Sequence, residues 1–180
     1  MMGDWKKLYK EGIQHYQAKR YAAAAQSFEK ARVAAEQAGE RHRLAEVLND
    51  LGVARRELGE WDAAQWALEA AYTLFGELQD TRGQAQALGN LASVHEGRGD
   101  YAAAAEAYRE SARMFEALGE SELAMYTRQA LSRLHLEHKQ WLTAIAAYEE
   151  GIEAMPNSSL KKKVLQRLMQ LPGHWLLGGK

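Results

Sequence analysis

The side chains best suited to chemistry are six histidines, one Arg-Gly-Asp tripeptide and a scatter of amides and charges. His15, His95 and His135 recur at one place in a 40-residue pattern, and His138 stands three residues beyond His135. Two histidines three apart on a helix face the same way and can share a metal ion. No third ligand lies near them in sequence, and a residue repeated in register reads as packing, so no metal site is expected. Arg98-Gly99-Asp100 matches a cell-adhesion tripeptide, but Gly-Asp is also what a turn between helices uses. The chain has no cysteine, which removes thiolate zinc sites, disulfides and cysteine nucleophiles together. No phosphate-binding glycine loop, GxSxG elbow or HExxH pair is present. No catalytic residue and no cofactor is therefore expected. The remaining chemistry is recognition: amides such as Asn49, Asn90 and Gln129 donate and accept at once, while Asp50, Arg56 and Arg133 offer charge.

The elements that must position these groups follow from composition and repetition. Of 180 residues, only Pro156 and Pro172 are proline, and alanine runs fill 22–25 and 102–105. Such a chain reads as nearly all helix. Tyr21, Trp61, Tyr101 and Trp141 lie 40 residues apart. Ala24, Ala64, Ala104 and Ala144 follow in register, then Phe28, Leu68, Tyr108 and Tyr148. Ahead of each aromatic stand Gly12, Gly52, Ala92 and Ser132. Each unit reads as two helices. In the second unit these are 41–58 and 61–78, where Leu44, Val47, Leu48 and Leu51, and Trp61, Ala64, Leu68 and Ala71, keep helical spacing. Turns are expected at Gly59-Glu60, Asp80, Gly99-Asp100, Gly119-Glu120 and Lys139-Gln140. A small residue where two helices cross lets the backbones approach, and a large neighbour fills the groove beside it.

These series resemble the tetratricopeptide family, whose pattern is W-x2-L-G-x2-Y, then A-x3-F, then P. Leu8, Leu48, Leu88 and Arg128 fill the tryptophan slot, and His15, Arg55, His95 and His135 the first tyrosine slot. Only the fourth unit keeps the proline, as Pro156; Glu36, Gly76 and Glu116 replace it elsewhere. Without proline each second helix can run on, which accounts for a period of 40 instead of about 34. The resemblance implies an all-α, right-handed α-solenoid of four helix-turn-helix repeats, about 5–40, 41–80, 81–120 and 121–156. A capping helix over 157–171 would lay Leu160, Val164, Leu168 and Leu171 on the last repeat. An apolar tail follows at 172–180.

In tetratricopeptide arrays the first helix of each repeat lines a concave groove that holds a peptide or a partner helix. Carried over by register, the partner-binding set is Tyr9, Lys10 and Tyr16 from the first repeat and Asn49, Asp50 and Arg56 from the second. Gln86, Asn90 and Ser93 come from the third, and Tyr126, Gln129 and Arg133 from the fourth. The bland alternative is a solvated face with local pairs such as Arg133–Glu137. The chaperone-tail clamps of the family grip a carboxylate with Lys, Asn and Arg. Here Tyr9, Ile13, Asp50, Gln86 and Asn90 stand in those slots, and Asp50 would repel the ligand. The 40-residue period and Ala87-Leu88-Gly89-Asn90-Leu91 instead resemble Leu-Gly-Asn repeat adaptors and bacterial peptide-receptor arrays. Those use an asparagine ladder; Asn90 fills that slot, whereas Lys10, Asp50 and Ala130 depart from it.

The expected function is a scaffold or adaptor binding a protein or peptide. Self-assembly through Trp175, Leu176 and Leu177, giving a homo-oligomer, is the structural-class alternative; a regulatory enzyme fragment is the third. The net charge of −1 does not suggest nucleic acid. With five positive charges from Lys161 onward, the rest of the chain carries −6, so the cap region is a basic patch. No run of about 18 apolar residues exists, so no membrane span is expected. The N-terminus lacks the apolar stretch of a secretory signal, and a cytoplasmic location is the expectation.

Overall fold

Every twenty residues the backbone passes once into the left-handed region: Lys19 (φ 57°), Gly39 (68°), Gly59 (72°), Gln79 (58°), Gly99 (82°) and Gly119 (74°). These residues follow the first six of the seven helices that can be delimited among the described residues, which in this computed structural model are 5–137, 148 and 150–153. The helices are α1 (Trp5–Gln17), α2 (Tyr21–Gln37), α3 (Arg41–Glu57), α4 (Trp61–Glu77), α5 (Thr81–Arg98), α6 (Tyr101–Ala117) and α7 (Ser121–Glu137). Each turn satisfies the same two carbonyls. At the second, Gly39 N–H donates to Glu36 O (3.1 Å) and Glu40 N–H to Ala35 O (3.1 Å); Gly119 and Glu120 do the same to Glu116 and Phe115. This is the Schellman arrangement, which needs positive φ at its penultimate residue. Glycine takes that conformation without strain, while Lys19 and Gln79 do not. Lys19→Gly and Gln79→Gly are each expected to raise stability by up to about 1 kcal/mol, read as a higher melting midpoint.

The period of 40 is thus two helices and two short links. α3 and α4 are both 17 residues long, as are α6 and α7. The loss of proline explains only the longer second helix. The first helix is equally long, so the two lengthen together and remain matched along their contact. Asp80 and Asp100 cap α5 and α6, accepting from Gly83 N–H (2.8 Å) and Ala103 N–H (3.2 Å). Arg20, Glu40 and Glu60 stand in the same position without a side-chain cap bond.

Each helix packs on the one before and the one after, and α3 also touches α5. Among the described residues there is no strand. The result is a solenoid with its core threaded between helices. Phe28, Val47, Leu51, Leu68, Val94 and Leu134 are among its fully buried members, with alanines packed between them. The small-against-large pairing is direct. A Cβ on Gly12 would lie 2.5 Å from Phe28, and one on Gly52 2.5 Å from Leu68 Cγ. Between repeats the order reverses: Gly83 abuts Phe75 and Gly97 abuts Trp61. Exposed pairs add a second stitch, repeated in register: His42–Asp80 (2.9 Å) and Arg82–Glu120 (3.0 Å). Such surface pairs contribute little each.

Arg128 is the exception in the core. Where Leu8, Leu48 and Leu88 stand in the other repeats, this buried guanidinium holds Glu116 with two bonds, Nε–Oε1 at 2.9 Å and Nη2–Oε2 at 3.2 Å, and also pairs with Glu150. Both carboxylates are partly exposed, so neither would be trapped dry without it. Arg128→Leu, which restores the repeat residue, is expected to change stability by less than about 1 kcal/mol; chemical denaturation checks this. Pro156, the cap segment 157–171 and the tail with Trp175, Leu176 and Leu177 lie outside the described residues, as does His138.

Candidate interaction face

The first helices α1, α3, α5 and α7 share one face, and on it the polar groups are tied across repeats. Tyr9 on α1 donates its hydroxyl to Asp50 Oδ2 on α3 (2.7 Å). Asn49 Nδ2 donates to Asp50 Oδ1 (3.2 Å), and Asn90 Nδ2 on α5 donates to Asn49 Oδ1 (2.9 Å). A continuous chain of side-chain hydrogen bonds therefore crosses three repeats. Asn90 does belong to a ladder, but its partner is Asn49, one residue before the equivalent slot. Asn49 is buried, only 4% exposed, so its amide belongs to the ladder and is not on offer at the surface.

A second cluster joins α5, α6 and α7. Tyr108 donates to Glu96 (2.9 Å), Ser93 Oγ lies 2.8 Å from the Tyr108 hydroxyl, and Arg133 bridges to Glu96 (3.0 Å). With the phenol proton directed at Glu96, Ser93 is the donor to the phenol oxygen. Arg133 reaches across to the neighbouring repeat, which replaces the local Arg133–Glu137 pair expected from spacing. Arg56 is paired with Glu57 beside it.

Burial sets the protonation states. It is the largest cause raising Tyr9, with the Asp50 carboxylate adding to it, and Tyr108 is pushed up to about 12 by burial first. Both phenols keep their protons and act as donors. Asp50 is raised by burial, against the hydrogen bonds from Tyr9 and Asn49, which lower it. Because its folded-state affinity for a proton exceeds the unfolded one, Asp50 costs stability that grows as pH rises from its unfolded through its folded pKa. Asp50→Asn, which can still accept from Tyr9, is expected to raise the melting temperature at neutral pH. The gain should vanish in acid.

Three hollows open along the face. The largest, about 610 Å³, is lined by Arg82, Gln86, Asn90, Ser93, Tyr108, Tyr126 and Arg133. A second of about 280 Å³ lies among Ile13, Tyr16, Gln17, Phe28, Asp50 and Val53. A third of about 420 Å³ is lined by Arg56, Glu57, Trp61, Ser93, Glu96 and Arg133. The register-derived set is thus largely gathered here. Tyr9 sits in the ladder, while Lys10, exposed on α1, and Gln129, half-buried on α7, line none of the three. The repeat slots of Tyr108 and Trp61 predict packing, yet both help line the face. Their long side chains reach from the second helices between the first. Among the described residues no group of three or more His, Asp or Glu is placed to hold a metal. His15 Nδ1 is buried without a hydrogen bond, as a packed ring would be. Among the described residues no helix is long and apolar enough to cross a membrane.

This is a helical-repeat protein of the tetratricopeptide type. The chain belongs to the soluble NSF attachment protein family, whose model matches residues 4–169. Comparison with curated proteins gives no sequence match. Solved structures share the fold at low identity. A Rap protein complexed with competence and sporulation factor superposes with a TM-score of 0.77 at 18% identity, over 85% of this chain and 43% of that one. BtubC from P. vanneervenii gives 0.74 at 16%, over 86% and 67%. The Rap conjugation gene regulator of plasmid pLS20, in complex with the Phr* peptide, gives 0.72 at 22%, over 95% and 48%. The chain spans less than half the length of the two Rap proteins.

Proposed function

We propose that this protein is a non-enzymatic adaptor that binds a peptide or helix of a partner protein along the face of α1, α3, α5 and α7. The observation that carries the reading is the preorganised polar face: two hydrogen-bonded clusters alternate with three hollows. Gln86 and Tyr126, the latter 62% exposed, stand ready at the largest hollow. A face fixed by its own hydrogen bonds loses little entropy on binding. The family takes its name from attachment to another protein, and two of the fold neighbours were solved with a factor or peptide bound. Photo-crosslinking side chains placed at Gln86 and Tyr126, and on the opposite side at Gln26, test it in a lysate of the source organism. One protein crosslinked from the first two positions and not from Gln26 is the expected result. Crosslinks from Gln26 alone would remove the groove, and crosslinks to a second copy would replace it with self-assembly.

A further inference from the structure

Asp50 stands out among the acidic residues of the face because no cation answers it. Its two bonds come from a phenol and an amide, both neutral. The basic side chains nearest in sequence on α3 are committed elsewhere, Arg55 to Glu60, Arg56 to Glu57 and Arg43 to Glu46. Among the described residues Asp50 forms no ion pair with Lys, Arg or His. Burial disfavours its charge, so a neutral residue here would be more stable. Each carboxylate oxygen retains a lone pair beyond the bond it accepts.

The hollow beside Asp50 has the complementary shape. Ile13, Tyr16 and Phe28 wall it from α1 and α2, and Val53 from α3. At about 280 Å³ it is smaller than most small-molecule pockets and suits one long side chain. Apart from the Gln17 amide and the Tyr16 hydroxyl the walls are apolar, and the one charge among the lining residues is negative.

We propose that the hollow between α1 and α3 is a subsite for one lysine or arginine side chain of the bound segment, with Asp50 as its counter-charge. This rests on the groove reading above. The aliphatic stem lies on Ile13, Phe28 and Val53, and the cationic head meets the free lone pairs of Asp50. The Tyr16 ring adds a face on which a cation is favoured. An apolar side chain would fill the space but leave the carboxylate unpaired, and an acidic one would be repelled. The pairing also accounts for a charge that costs stability in the unbound protein.

The test pans a phage-displayed random dodecapeptide library on the immobilised full chain, then measures selected peptides by fluorescence polarisation. Peptides with Lys or Arg at one fixed position are expected. Replacing that residue by norleucine, or Asp50 by Asn, should weaken binding about tenfold or more. The two changes together should weaken it little further. Norleucine leaves the protein untouched, so a folding effect of the Asp50 variant cannot mimic the result. Selected peptides without a basic residue, or with equal affinity for Asp50→Asn, overturn the subsite and leave the groove standing. Peptides that bind a Gln86→Glu, Tyr126→Ala variant as well as wild type, or none selected at all, overturn the groove reading itself.

Discussion

Phe28→Ala is expected to cost about 3–5 kcal/mol and to melt the N-terminal hairpin ahead of the rest. The ring is 1% exposed and lies directly over Gly12, where no Cβ intrudes. Tyr9 packs against it with ring centroids 5.8 Å apart, and it belongs to a core cluster that runs through α3 to Phe75. Truncation opens a void that Gly12 cannot fill, since a glycine has no side chain to move in. The loss should appear in thermal melting followed by circular dichroism as an early partial transition, with helices α5–α7 melting later. A single shifted transition would mean that the array unfolds as one unit. The same ring walls the subsite beside Asp50, so peptide binding there should fall with it.

Gly52→Val carries the second largest expectation, a loss of about 3 kcal/mol. Helix propensity alone argues the other way for the smaller change, since alanine is favoured over glycine by about 1 kcal/mol in a helix interior. The crossing of α3 and α4 decides the sign. A Cβ at position 52 would sit 2.5 Å from Leu68 Cγ and 3.1 Å from the Ala64 carbonyl oxygen. Leu68 is fully buried and the carbonyl is backbone, so neither can swing aside. Gly52→Ala should therefore also destabilise, by about 1–2 kcal/mol. Combined with Leu68→Ala, which empties the contested space, its additional cost should nearly disappear. Denaturant titration of the four-protein cycle reads this directly, and strict additivity would refute the clash.

The helix boundaries were legible because the turns repeat. Spacing places the second pair of helices at 41–58 and 61–78, and they span Arg41–Glu57 and Trp61–Glu77. The link after α1 carries no such signal: Ala18, Lys19 and Arg20 look like more helix, yet Lys19 takes positive φ. Tertiary register, not local preference, turns the chain there. The face shared by α1, α3, α5 and α7 was legible in direction but not in reach. A repeat slot tells where a Cβ points, which is why Tyr9, Asp50, Asn90 and Arg133 fall where expected. It does not tell how far a long side chain extends, so it gives no sign of the Tyr108 hydroxyl or the Trp61 indole on this face. Nor does it tell which amides are spent on each other. Asn49 stands in a polar slot, yet it is buried and hydrogen-bonded to both Asp50 and Asn90.

Helices that touch little beyond their immediate neighbours also dictate how the molecule yields to force. A protein with one central core resists pulling until the whole core shears. Here no strand or long-range tie bridges distant repeats among the described residues, so tension on the two ends loads every interface in series. The weakest hairpin should peel away first and leave its neighbours folded, each event releasing about 130–145 Å of contour for a 40-residue unit. An adaptor built this way would act as a ratcheted tether, lengthening in hairpin-sized steps while the repeats still in register keep hold of what they have bound.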